Sequence, residues 1–200
     1  MGATDRNPSN SSYYVTNDFY AKLVADFEGW DLESRRIDEG PSLVRARSIL
    51  FREARYLDQD RLRDWLTLFS PECAYWIPGT RNRGDPRREI AFAFHDRRQL
   101  EDRVYRLETG FAWSQTPVSR TSRMITNIEV FDTDEPGVTM VRSNFQVTEY
   151  WNGQIRFWTG YAVHRLAPES GDDLGVGAIL AKQVNLIDCD ENHRNPSITL

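Results

Sequence analysis

The sequence is poor in the residues that build metal centres and covalent staples. Its two cysteines, Cys73 and Cys189, stand 116 positions apart with no CxxC or CxH context, so they are expected to be unlinked thiols packed as small hydrophobes. The three histidines, His95, His164 and His193, share no HxH, HxxE or HExxH spacing. A 2-His-1-carboxylate iron site or a three-ligand zinc site would consume nearly all of them, so no metal site is expected in this chain. GxGxxG, GxxxxGK and GxSxG are absent, which argues against dinucleotide binding, phosphate-loop chemistry and a nucleophile-elbow hydrolase. No run of about 20 apolar residues occurs, and stretches such as Leu174 to Ala181 are short and interrupted by glycine and alanine. The polar start, Met1 to Pro8, lacks an apolar signal core. A cytoplasmic protein without membrane contact is the expectation. Lysine is scarce too: of 25 basic residues only Lys22 and Lys182 are lysine, and the net charge is −5. Bases scattered singly or in pairs leave no nucleic-acid footprint. The arginine excess suits a salt-bridged subunit interface, and equally a GC-rich genome.

What is present is bulk for a core. Across 200 residues, 40% are hydrophobic and 12% aromatic, enough for one domain with a decorated terminus. Residues 1–40 read as an irregular polar arm, closed by Gly40-Pro41. The spacing of Leu43, Ala46, Leu50, Ala54 and Leu57 predicts a helix from Ser42. A second helix, capped by Asp58 or Asp60, carries Leu62, Trp65, Leu66 and Phe69 and stops at Pro71. Short strands follow at 73–78 and 90–94. Asp96 then sits at an N-cap with Gln99 completing a capping box for a helix bearing Leu100, Val104 and Leu107, ended by Gly110.

Four β-branched and aromatic runs complete the chain: Ser122 to Phe131, Val138 to Trp151, Gln154 to Leu166 and Val176 to Asp188. Asn152-Gly153 is a hairpin signal. Helices first and antiparallel strands afterwards predict an α+β domain over 41–200, a strongly curved sheet with helices across its concave face.

One constellation invites chemistry. In a cone-shaped barrel, His95 and Asp96 with Tyr75 could abstract a proton beside a carbonyl or dehydrate a substrate. The competing reading makes Asp96 a cap, Tyr75 core and His95 a buried hydrogen-bonding group. The segment from Trp113 to Arg123, with Pro117, Ser119 and Arg120, could hold a partner's carboxylates or close a loop onto the sheet.

At this point an ordered set of short motifs resembles the beta (small) subunit of aromatic-ring-hydroxylating Rieske non-haem iron dioxygenases. The matching pieces are Phe51 to Asp58, Trp65-Leu66 with Leu68-Phe69, Tyr75 with Pro78, and Leu100 to Leu107. They continue with Pro117 to Arg120, Asn127, Ser143-Asn144 and Asn195 to Ser197. Asp85-Pro86 to Glu89-Ile90 leans toward the benzoate-type branch. Two positions depart from the family pattern: Gln115 replaces a common Glu, and Ile198-Thr199-Leu200 replaces an aromatic end.

The resemblance implies a cone of the nuclear transport factor 2/ketosteroid isomerase type and assembly with an alpha subunit, usually as an α3β3 hetero-hexamer. It also implies a Rieske [2Fe-2S] cluster and mononuclear iron in that partner, and electrons from NAD(P)H through a reductase or ferredoxin. This chain is then a non-catalytic subunit in aromatic-compound degradation, with no catalytic, cofactor-binding or metal-binding residue of its own. The alternatives are a stand-alone isomerase or dehydratase using Asp96 and His95, and a small-molecule binding barrel.

Overall fold

Three strands of 13 residues dominate the chain: β4 (Arg120–Asp132), β5 (Thr139–Trp151) and β6 (Gln154–Leu166). Each alternates side chains between two faces. The computed structural model describes residues 12–81, 84–109, 117–169, 175–193, 195 and 198–200. Around the long strands lie α1 (Asn17–Asp26), β1 (Arg36–Ile37), α2 (Pro41–Asp58), α3 (Leu62–Thr67), β2 (Phe69–Pro78), β3 (Ala91–His95), α4 (Arg97–Glu108) and β7 (Ile179–Leu186). The sheet order is β1-β4-β5-β6-β7-β2-β3, antiparallel except where β2 runs parallel to β7. Asn152 and Gly153 both take positive φ, 49° and 77°, as a type I′ turn requires, and they set the β5–β6 register.

The inner face of the sheet presents Val141, Phe145, Val147, Ala162 and Val184 to α2, α3 and α4, whose Ile49, Leu50, Trp65 and Leu100 join one core cluster. On the outer face a second cluster forms where Leu23, Phe27 and Trp30 cover Phe131, Met140, Val163 and Ala181. The sheet curves around the inner helices without closing, giving the open α+β cone of the nuclear transport factor 2 type. The capping box at Asp96 and Gln99 forms as expected.

Three expectations require correction. Within the segment expected to be irregular, Thr16 Oγ1 accepts the Phe19 N–H and starts a ten-residue helix. That segment is also pinned: Tyr14 Oη donates to the Cys73 carbonyl at 2.9 Å and accepts the Arg97 N–H at 2.7 Å. The second helix ends at Thr67, so Phe69 and Pro71 belong to β2. Pro71 is tolerated because the β2–β7 register shifts between Phe69 and Ala74, leaving no ladder bond at that point for its missing N–H to break. Neither Asp58 nor Asp60 caps α3; Asp58 pairs with Arg123 instead. The stop expected at Gly110 lies outside the described residues.

At Gly160 the backbones of β6 and β7 leave no room for a side chain, since a Cβ there would stand 2.0 Å from the Asn185 carbonyl oxygen. Gly160→Ala is therefore expected to cost at least about 2 kcal/mol. At this chain length that lowers Tm by roughly 4–8 °C, measurable by calorimetry.

Candidate functional site

The centre of the cone holds charge. Glu53 projects from the buried stripe of α2, and its Oε1 accepts from Lys182 Nζ of β7 at 2.8 Å and Trp65 Nε1 of α3 at 3.1 Å. Its Oε2 meets His164 Nε2 of β6 at 2.9 Å. Burial alone would raise the Glu53 pKa, but the Lys182 ammonium and His164 outweigh it and hold the carboxyl well below its usual range. Burial pushes His164 down, so the ring is neutral at pH 7. Because a carboxylate can only accept, Nε2 carries the proton, which leaves Nδ1 buried and, among the described residues, without a hydrogen-bond partner.

The last residues fill the space in front of these groups. Lys182 Nζ donates to the Leu200 carbonyl oxygen at 2.8 Å, and Tyr75 Oη both donates to that oxygen at 2.9 Å and accepts the Leu200 N–H at 3.0 Å. Arg103 donates to the Ile198 carbonyl at 2.6 Å, and Arg123 donates to that of Thr199. A more open cavity lined by Leu57, Leu62, Leu107, Ile198 and Thr199 measures about 60 Å³, and the one between Glu53, Ser143, His164, Lys182 and Leu200 about 20 Å³. That is space for roughly one water, far short of an arene.

The structure brings Tyr75 and His95 together as cross-strand partners, their rings stacked 6.0 Å apart. It does not turn Asp96 toward them. Asp96 Oδ1 accepts the Gln99 N–H at 2.7 Å and Oδ2 accepts from Ser12 Oγ at 2.7 Å, so both oxygens are engaged at the head of α4. Burial, with Arg103 and Arg106 nearby, lowers His95 to about 4. Burial raises Tyr75 to about 12. The three side chains are thus not brought together: Tyr75 and His95 stack on each other while Asp96 faces the head of α4.

The other candidates are dispersed. His193 stacks on Trp158, whose Nε1 donates to the buried Glu149 at 2.9 Å. Both cysteines are buried and free, and burial pushes Cys73 up to about 12. Among the described residues no three His, Cys, Asp or Glu side chains converge as metal ligands. Arg120 and Arg123 lie within β4: Arg123 holds Asp58 of the same chain, while Arg120 covers the Tyr150 ring 4.6 Å away. Residues 113–116 of that motif, Gln115 included, lie outside the described residues. An open groove of about 430 Å³ between α2 and β4, lined by Phe51, Asp58 and Arg123, contains none of the proposed acid–base groups.

The family model described as "Ring hydroxylating beta subunit" matches residues 52–190. The chain belongs to this family. The beta subunit is 35% identical over 109 residues to toluate 1,2-dioxygenase subunit beta of Pseudomonas putida, covering 52% of this chain and 67% of that one. Among solved structures, the beta subunit of the benzoate 1,2-dioxygenase of Burkholderia mallei is 26% identical. It superposes with a TM-score of 0.62 over 78% of this chain and 99% of that one. Naphthalene 1,2-dioxygenase with indole bound, at 20% identity and a TM-score of 0.65, covers 98% of this chain and 100% of that one and supports the fold.

Two tests follow from the geometry of the beta subunit. If Asp96 serves as a cap, Asp96→Ala should cost about 0.5–2 kcal/mol while Asp96→Asn stays near neutral. Asp96→Asn and His95→Gln, each assembled with the large subunit, should keep turnover within a few-fold, whereas removing a general acid or base costs about 10²-fold or more. The second test is pH. Between the ordinary histidine value of 6.5 and about 4, the unfolded chain binds a proton that folded His95 refuses. His164 acts in the same direction, and the depressed Glu53 continues the loss at lower pH. Stability should therefore fall steadily on acidification below about pH 6.5, with His95 accounting for roughly 2–3 kcal/mol. His95→Gln should flatten that part of a Tm-against-pH curve.

Proposed function

We propose that this beta subunit is a non-catalytic, assembly-stabilising member of a cytoplasmic terminal oxygenase. Its alpha subunit would hold the Rieske [2Fe-2S] cluster and the mononuclear iron. Electrons would come from NAD(P)H through a reductase or ferredoxin, and the complex would be an α3β3 hexamer. In this reading residues 41–200 act as one α+β unit and the preceding segment leans on its outer face. The single observation that carries the proposal is how the cone is filled: residues 198–200 are buried within it, and the cavity left beside Glu53 and His164 is about 20 Å³. A cone-shaped isomerase needs an opening at that place. The names of the relatives, toluate and benzoate dioxygenase beta subunits, favour an aromatic carboxylate as the substrate of the complex.

The test is reconstitution. The beta subunit purified alone should be colourless and convert no aromatic carboxylate. Co-expressed with its large subunit and supplied with reductase, it should co-purify at constant stoichiometry with dihydroxylation activity. Sulfide-to-iron absorption in the lone chain, or isomerase turnover that disappears in Asp96→Asn, would overturn this reading.

A further inference from the structure

Residues 198–200 are buried in the cone without belonging to any of its elements: they lie in no helix and pair with no strand. Among the described residues their one backbone-to-backbone hydrogen bond is a long one, from the Ile198 N–H to the Asn195 carbonyl at 3.4 Å. Their hold comes from side chains on four different elements. Arg103 of α4 takes the Ile198 oxygen, Arg123 of β4 that of Thr199, and Lys182 of β7 with Tyr75 of β2 that of Leu200. Most buried carbonyls are satisfied by other backbone groups. Capture of three successive oxygens by convergent side chains inside an apolar cavity is instead the way a pocket holds a ligand.

The same three residues partition the interior. Ile198 and Thr199 wall the cavity of about 60 Å³ and Leu200 the one of about 20 Å³, while Leu57 and Arg123 border both. The groove of about 430 Å³ outside shares Ala54, Arg123 and Ile125 with the inner cavity. With residues 198–200 withdrawn, the two cavities and the space between them form one chamber at the small end of ligand sites, roughly 300 Å³. Leu50, Ile125, Phe145, Val147, Ala162 and Val184 give it an apolar wall, and Lys182 stands at its inner end.

We infer that the cone contains a latent site for an apolar monocarboxylate the size of one aromatic ring, which residues 198–200 occupy as an internal ligand. The carboxylate replaces the Leu200 and Thr199 oxygens on Lys182, Tyr75 and Arg123 through charge-assisted hydrogen bonds, and the ring takes the wall that Leu200 leaves. A neutral arene would strip these buried donors of their acceptors, which is costly. Because residues 198–200 must leave first, the affinity of the wild-type chain is reduced by the small fraction of molecules in which the site is open. The inference is independent of the assembly reading, since it needs neither the large subunit nor turnover.

The experiment titrates the full chain with benzoate and with toluene by ligand-observed NMR, after circular dichroism confirms folding. Ile198→Gly/Leu200→Gly removes the two apolar anchors of the segment and keeps all four donors. This variant is expected to bind benzoate at least tenfold more tightly than the wild type does, and toluene at least tenfold more weakly than benzoate. Adding Tyr75→Phe should weaken benzoate several-fold and leave toluene unchanged. If the folded variant binds benzoate no better than the wild type, residues 198–200 do not occupy a ligand site and the inference fails. Equal binding of toluene would mean a plain apolar void, and benzoate binding indifferent to Tyr75→Phe would lie elsewhere; either result overturns the inference. Should the double variant not fold, Leu200→Ala, which shortens one side chain only, is judged by the same outcomes.

Discussion

Lys182 and Glu53 are buried facing each other, and this pair fixes how the helical layer sits in the cone. Glu53 belongs to α2 and Lys182 to β7, with His164 from β6, Trp65 from α3 and the Leu200 carbonyl completing the cluster. Two charges at this depth carry a desolvation cost that only close geometry and full hydrogen bonding offset, and a displaced partner leaves an uncompensated charge worth several kcal/mol. Apolar side chains tolerate a slide of an ångström or two. This cluster does not, so it sets the register of α2 against the sheet and draws the last residues inward.

Inside the cone, the chain's own Leu200 backbone oxygen takes the hydrogen bonds of Lys182 and Tyr75. The polar interior has become part of the scaffold.

Much of this was legible in the sequence because it is local. The four strand runs, the Asn152-Gly153 turn and the Asp96–Gln99 capping box depend on residues within a few positions of one another, and all formed. The α1 helix was missed although Thr16 precedes Phe19, Leu23 and Phe27 at helical spacing; polar neighbours and the aromatic-rich outer face obscured a stripe with only one fully buried helical member. Phe69 and Pro71 misled because a helical stripe and a bulged strand look alike over so few residues. The Glu53 cluster was beyond local reading. Its members are 129 and 111 positions apart, and only the sheet order brings them together. One signal was available: a rare lysine inside the apolar run of β7 and a glutamate on the apolar side of α2 each need a buried partner.

The Asp58–Arg123 pair has a different consequence. Among the described residues β1 pairs with only Val130 and Phe131 of β4, so most of that 13-residue strand lies at the edge of the sheet. Asp58, at the end of α2, accepts the Arg123 N–H at 2.8 Å, and binds the same residue's guanidinium. A foreign strand seeking to extend the sheet would meet a carboxylate where it needs a carbonyl, and a helix where it needs space. The open cone is thereby guarded against runaway strand addition at its longest edge, the usual route from a β-rich fold to amyloid-like aggregates.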